Sequence, residues 1–329
     1  MTIATLPVNA PMSSAPFSVF LIRCQKLVGT GSSTRNTAAS GAPRCEGGAV
    51  TSHSRPVALV TGASRGIGRA IAIALAADGF DVVITGRTAV GTAVNPTTGR
   101  PLPGSLQSTA EEIEAAGGRA HCVVADVLDL DDAARSFDRC VAAAGRIDVL
   151  VNNAIYVGPG NDVLFADSDP VDIVRRVTGN LTAPLLFTHA FIRHALTSDG
   201  ERTIIDITSN AGQRTPESPA GQGGWSLVYA ASKAGFHRIA DMVALEYPHI
   251  RSLNVDPGLV ATERVLDSGA GLEWIARNGV PPAVIGRAVV EMLRDSSIDN
   301  GAYLHAQPYL RQRLGDEKYG DVVNVGTGS

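Results

Sequence analysis

The 329-residue chain has few aromatic side chains, few cysteines and no surplus of positive charge. Phe, Trp and Tyr supply 5% of it, and none is interleaved with a basic run. Lys and Arg number 28 against 32 for Asp and Glu, a net charge of -4, which leaves no concentrated field for a phosphate backbone and excludes a nucleic-acid partner. Long hydrophobic runs are missing too. The longest near the start, residues 17–22, falls far short of the ~20 apolar residues a membrane-spanning helix needs, so no membrane span is expected. The four cysteines, Cys24, Cys45, Cys122 and Cys140, form no CxxC pair, and the last two fall where a strand and a helix are read, so buried or incidental reduced thiols are the default. The seven histidines are scattered as well, and without clustered ligands no metal is expected.

What is present describes an ordinary globular chain, 44% hydrophobic and 18% charged, with room for one large domain. The first 54 residues differ: they are rich in Ser, Thr, Ala, Gly and Pro, hold Glu46 as their one acid and show no sustained periodicity. They read as a disordered extension of a cytoplasmic protein. Their basic, Ser-rich composition is also that of a transit peptide, so organelle import is a competing reading.

Residues 57–60 form a continuous apolar run of strand type, followed by a turn carrying Gly62, Ser64, Arg65, Gly66, Ile67 and Gly68. Ile71, Ala74 and Leu75 then keep helical spacing until Gly79, and residues 81–85 make a second strand. A strand, glycine-rich turn, helix and strand within about thirty residues is the unit that binds dinucleotides. Its glycines let the backbone approach a pyrophosphate, and the N–H groups of the helix start hydrogen-bond it.

The alternation continues without a break. Helices are read over 108–116, 130–144, 171–196, 228–246 and 282–293, and strands over 120–124, 148–151, 203–207, 250–255 and 302–305. This predicts an α/β fold, a doubly wound parallel sheet covered on both faces in a single domain spanning 55–306. Residues 89–106, rich in Gly, Pro, Thr and Asn, read as a solvated insertion near the adenosine end of a dinucleotide. Residues 307–329 read as a polar tail that frays. Asp126, just past a strand end, either hydrogen-bonds an adenine or caps the next helix.

Tyr229 and Lys233 lie four apart on the 228–246 helix and project from one face, which sets an ammonium beside a phenol. A free tyrosine titrates near ~10 and a nearby cation favours the phenolate, so this pair can move a proton at ordinary pH. The same spacing also describes a core tyrosine beside a solvated lysine. The ordered set decides between them. Gly62, Gly66 and Gly68, then Asp126, Asn152, Asn153 and Ala154, Asn180, Ser209, Tyr229 with Lys233, and Asn254, Pro257, Gly258 and Thr262 together resemble the motifs of the short-chain dehydrogenase/reductase family, across about residues 56–305.

The resemblance implies a Rossmann-type oxidoreductase. Tyr229 would exchange a proton with the substrate oxygen, and Lys233 would lower its pKa and hold the nicotinamide ribose. Ser209 would hydrogen-bond the carbonyl or alcohol oxygen, and Asn180 would hold a water linking Lys233 to solvent. Besides the residues of the glycine turn, Asp126, Val127, Asn153, Ala154, Pro257, Gly258, Val260 and Thr262 would line the cofactor. An NAD-preferring enzyme usually carries an acid at the end of the second strand; here Gly86 and Arg87 stand there, and with Arg65 two guanidinium groups can clamp a ribose phosphate. NADP(H) is thus favoured over NAD(H), with two solvated arginines as the alternative. A homodimer or homotetramer is implied as well.

Three departures stand out. Ile155 replaces a glycine common in the family, the interval from Ser209 to Tyr229 is lengthened by a Pro- and Gly-rich stretch expected to border the substrate pocket, and the chain after Tyr303 lacks the usual glycine-rich ending. Tyr156, Gln213, Trp225, Leu259, Val260, Leu266 and Trp274 are the candidate pocket lining, a mostly apolar set suited to a small or medium ketone, aldehyde or secondary alcohol. The rivals are an NAD-linked alcohol dehydrogenase and a non-catalytic dinucleotide sensor, the latter opposed by the presence of both Tyr229 and Lys233.

Overall fold

A computed structural model describes residues 55–96, 98–267 and 272–325. In chain order the elements are β1 (Val57–Val60), α1 (Gly66–Ala77), β2 (Asp81–Gly86), β3 (Ala93–Val94), β4 (Pro101–Leu102), α2 (Leu106–Ala115), β5 (Arg119–Val124), α3 (Leu130–Ala144), β6 (Val149–Asn152), α4 (Pro170–Val177), α5 (Ala183–Ala195), β7 (Arg202–Ile207), α6 (Leu227–Glu246), β8 (Ile250–Asp256), α7 (Glu263–Asp267), α8 (Glu273–Asn278), α9 (Pro282–Arg294), β9 (Tyr303–His305), α10 (Ala306–Leu314) and α11 (Asp316–Val325). Seven strands pair in parallel in the order β5-β2-β1-β6-β7-β8-β9, the doubly wound sheet expected. Winding reverses between β1 and β6, the place where open α/β sheets bind ligands beyond the carboxyl ends of their strands.

Both faces of the sheet are covered, which is why β1 and β6 read as unbroken apolar runs. Ala58, Val60, Val82, Ile84, Val151, Ile205 and Ile207 pack with α1, α2, α9 and α10. Leu59, Val83, Leu150 and Ile204 turn the other way, toward Phe137 of α3, Phe187 and Phe191 of α5 and Phe236 of α6. Each such buried side chain contributes roughly 1.5–3 kcal/mol.

The insertion at 89–106 is more than a solvated loop. Strands β3 and β4 pair antiparallel, and Asn95 and Leu102 are buried. Its tip is tied to α7: Asp267 Oδ2 accepts from Asn95 Nδ2 at 2.6 Å and from Thr98 Oγ1 at 2.8 Å, and Arg100 pairs with the same carboxylate at 2.9 Å. One fixed carboxylate that gathers several donors orders a loop with little apolar core of its own. The tail is corrected too. Residues 306–325 are largely helical, with Leu310 fully buried and Leu314, Tyr319, Val322 and Val323 packed on the same core as α1 and α9. Polar composition masked that apolar stripe. The predicted extension over 1–54 lies outside the described residues, with Cys24 and Cys45, as do residues 326–329.

Candidate active site

The turn after β1 is built by close packing. Gly62 has φ +69°, and a Cβ there would lie 2.8 Å from Cα of Ala154. At Gly68 it would lie 2.4 Å from the Gly62 carbonyl and from Asn153 Nδ2. Asn153 braces the turn rather than pointing outward, its Nδ2 donating to the Thr61 carbonyl at 2.8 Å, while Thr61 Oγ1 accepts from the N–H groups of Asn153 and Ala154. No side chain caps α1, and the Gly66 N–H donates to Glu263 Oε2 at 2.9 Å. The turn is thus narrow, glycine-lined and already accepts an anionic oxygen, which fits a dinucleotide pyrophosphate. Ser64 is buried beside it and Ile67 half-buried.

Ser226 caps α6 and accepts from the Tyr229 N–H at 3.3 Å, which sets the phase of the helix and the direction of Tyr229. Burial pushes the Tyr229 phenol up, opposed first by a side-chain hydrogen bond with Ser209 and then by the charge of Arg264; Asp256 adds to the rise and Arg176 opposes it. Lys233 is buried, its Nζ donating to the Ile207 carbonyl at 3.0 Å. Burial pulls it down to about 8, with Asp206 and Asp256 holding it up.

Asn180 sits in a π-helical turn, Thr178–Thr182, that joins α4 to α5. Such turns recur at functional sites. Both ends of its side chain are engaged: Oδ1 accepts from the Tyr156 N–H at 2.9 Å and Nδ2 donates to Ser232 Oγ at 3.2 Å. That amide braces the chain after β6 against α6.

At the adenosine end, the pairing of Arg65 with Arg87 is not what the chain builds. Arg65 Nε donates to the Pro103 carbonyl at 3.0 Å, and Nη2 donates to the Gly104 carbonyl and to Thr88 Oγ1. The insertion has captured it. Arg87 remains exposed, with Nε 4.0 Å from Asp126 Oδ1. Asp126 does not cap α3; Asp129 does, accepting from the Asp132 N–H at 2.9 Å, while Asp126 Oδ1 accepts from the Leu128 N–H. Val127 is half-buried against the core. The segment from Pro257 to Thr262 folds back over the turn: Gly258 has φ +69°, and a Cβ on Gly66 would meet Thr262 Cγ2 at 3.4 Å.

The substrate side departs further from expectation. Trp225, Gln213 and the lengthened stretch after Ser209 line an open cavity of about 620 Å³, yet neither Tyr229 nor Ser209 lines it. Leu227, Ala230, Ala231 and Ala234 form its α6 wall, and helical spacing puts that face opposite Tyr229 and Lys233. Leu266 and Trp274 are exposed, and Val260 is buried in the core. Tyr156 is buried, with its hydroxyl donating to Asp172 Oδ1 at 2.6 Å and Arg176 5.4 Å from its ring centroid. The surroundings of Tyr229 are therefore less apolar than the sequence suggested. Arg176, Arg264, Asp206 and Asp256 were all missed; an acid inside the apolar run of β7, and another directly before Pro257, were the signals available.

Among the described residues, no helix is long and apolar enough to cross a membrane, and no group of three or more His, Cys, Asp or Glu side chains could hold a metal. Residues 56–271 match the family model of the short chain dehydrogenases. The chain is similar to a 3-oxoacyl-[acyl-carrier-protein] reductase of Synechocystis, 36% identical over 244 residues and covering 72% of this chain and 89% of that protein. It is also similar to an uncharacterised oxidoreductase of Mycobacterium tuberculosis, 29% identical over 273 residues, 83% of this chain and 91% of that one. The crystal structure of a 3-oxoacyl-[acyl-carrier protein] reductase from Brucella melitensis in complex with NAD superposes with a TM-score of 0.62 at 29% identity, covering 78% of this chain and 96% of that one.

Proposed function

The chain belongs to the short-chain dehydrogenase/reductase family, and from that premise we propose that it transfers a hydride between NADP(H) and a small or medium carbonyl compound or secondary alcohol, with Tyr229 as proton donor and acceptor. The observation that carries this reading is the approach of the Ser209 side chain to the Tyr229 phenol, with buried Lys233 one helical turn on, at the carboxyl end of the sheet. Ser209 holds the substrate oxygen and stabilises charge developing on it. Tyr229 gives that oxygen its proton in reduction and takes it back in oxidation. Burial keeps the proton on Tyr229 at neutral pH, which suits the donor role and so carbonyl reduction. A bound nicotinamide supplies or accepts the hydride. Arg87 is the candidate for the ribose phosphate, and the glycine turn holds the pyrophosphate.

The test is to measure binding of NADPH and NADH separately and then their oxidation against a panel of ketones and aldehydes. Tighter NADPH binding with turnover upholds the reading; tighter NADH binding moves it to an NAD-linked alcohol dehydrogenase, and no binding sinks it. We further propose a homodimer or homotetramer, supported by exposed Val171, Val174, Leu185, Leu227 and Leu245 on α4 to α6 and tested by sedimentation.

A further inference from the structure

Strand β7 is apolar from Ile204 to its end except for Asp206. Strand alternation turns Asp206 to the same side as Ile204, toward α5 and α6. Its carboxyl is wholly buried. Oδ1 accepts from Nδ2 of Asn152, its partner in the β6–β7 register, at 2.9 Å, and that nitrogen also donates to Thr188 Oγ1 on α5 at 3.0 Å. Oδ2 makes no hydrogen bond. Lys233 reaches the same place from α6, bonding the carbonyl of the very next residue, Ile207, with its Nζ 4.9 Å from the Phe236 ring centroid. A buried ammonium with one neutral acceptor and an aromatic ring needs a negative charge close by. Two acids supply it, Asp206 and Asp256.

We propose that Asp206 is a positioning residue for the reaction: tethered by Asn152, its buried carboxyl acts through space to keep Lys233, held at the Ile207 carbonyl, a charged group, and so sets the pH range over which Tyr229 exchanges its proton. This rests on the reading of Tyr229 and Lys233 as the proton-transfer pair. Burial pushes Asp206 up to about 7, with the Asn152 hydrogen bond and Lys233 opposing, and pulls Lys233 down to about 8. Removing the Asp206 charge therefore lowers Lys233 further. The other groups facing the pair are few. Asn152 and Thr188 are neutral, and Asp256 on β8 is itself engaged by Tyr303 at 3.4 Å and His305 at 3.1 Å on β9, with His237 of α6 against the Tyr303 ring.

The chain has three lysines, Lys26, Lys233 and Lys318, so lysine-selective isotope labelling of the full chain gives three side-chain NMR signals, assigned with Lys26→Arg and Lys318→Arg. Asp206→Asn keeps the size of the side chain and an oxygen for Asn152. The expected result is a fall of the Lys233 midpoint by about one pH unit, tenfold in proton affinity, with the basic limb of kcat/KM for carbonyl reduction moving down alongside it. Asp256→Asn moves both by less. An unchanged midpoint in folded Asp206→Asn, or a midpoint that moves while the basic limb stays, overturns the proposal. Should Asp206→Asn fail to fold, the wild-type Lys233 signal must show a second inflection from the ionisation of Asp206; a single step overturns the proposal. Absence of turnover with either nucleotide counts instead against the enzyme reading, and the Lys233 midpoint still decides whether Asp206 governs the lysine.

Discussion

The nucleotide side and the substrate side of this molecule are specified by different physics. Around the turn after β1, backbone meets backbone: Gly62 and Gly68 are required because any Cβ would strike Ala154 or the Gly62 carbonyl, and the reason is local and steric. Around Tyr229 and Lys233 the determinants are charges from distant stretches, Arg176 from α4, Asp206 from β7, Asp256 from β8 and Arg264 from α7, brought together only by the fold. Sterics leave a mark in sequence as glycine. Convergent charge leaves almost none.

The sharpest way to separate the two sides is to remove one atom from the second. Tyr229→Phe should lower kcat by roughly a thousandfold, within the usual range for a lost acid–base group, while nucleotide affinity measured by fluorescence changes by less than about threefold. A variant that keeps most of its rate would remove Tyr229 from the chemistry. Gly68→Ala probes the first side. The new methyl group meets the Gly62 carbonyl and Asn153 Nδ2 at 2.4 Å, so the turn must open, at a cost of about 1–3 kcal/mol in stability. Nucleotide affinity should fall by at least about tenfold, while any Tyr229 chemistry measured at saturating nucleotide survives. Equal losses in Kd and in kcat at saturation would show that the two sides are not separable.

The same division explains what was legible in the sequence. Strand and helix periodicity placed all seven strands of the main sheet, and the Tyr229, Lys233 and Ser209 constellation lies where the alternation puts it. The hairpin at 93–102 was not legible, because its tip is ordered by a carboxylate, Asp267, that lies more than 160 residues away. Helix α11 was hidden because its apolar face is only Tyr319, Val322 and Val323, diluted by polar neighbours. Gln213 and Trp225 were aimed at the wrong side of α6, since loop residues have no periodicity from which a face can be read.

Arg65 and Arg87 sit at the seam between the two sides, and they give the smallest but most discriminating effect. By sequence they are equivalent, two guanidinium groups near a ribose. In the fold they are not. Burial pulls Arg65 down, with Glu263 opposing and Arg87 reinforcing, and its donors go to the Pro103 and Gly104 carbonyls and to Thr88, so its task is to anchor the insertion. Arg87 is exposed and its one ion pair, to Asp126, is long at 4.0 Å, weak enough for a phosphate dianion to displace. Arg87→Ala should therefore abolish an NADPH-over-NADH margin of about tenfold, or 1.4 kcal/mol, and leave the fold intact. Arg65→Ala should keep most of that margin but release residues 88–105, detected as faster proteolytic cleavage within them. The reverse pattern would mean that the insertion yields Arg65 to the nucleotide, making the loop part of the cofactor site rather than a neighbour held beside it.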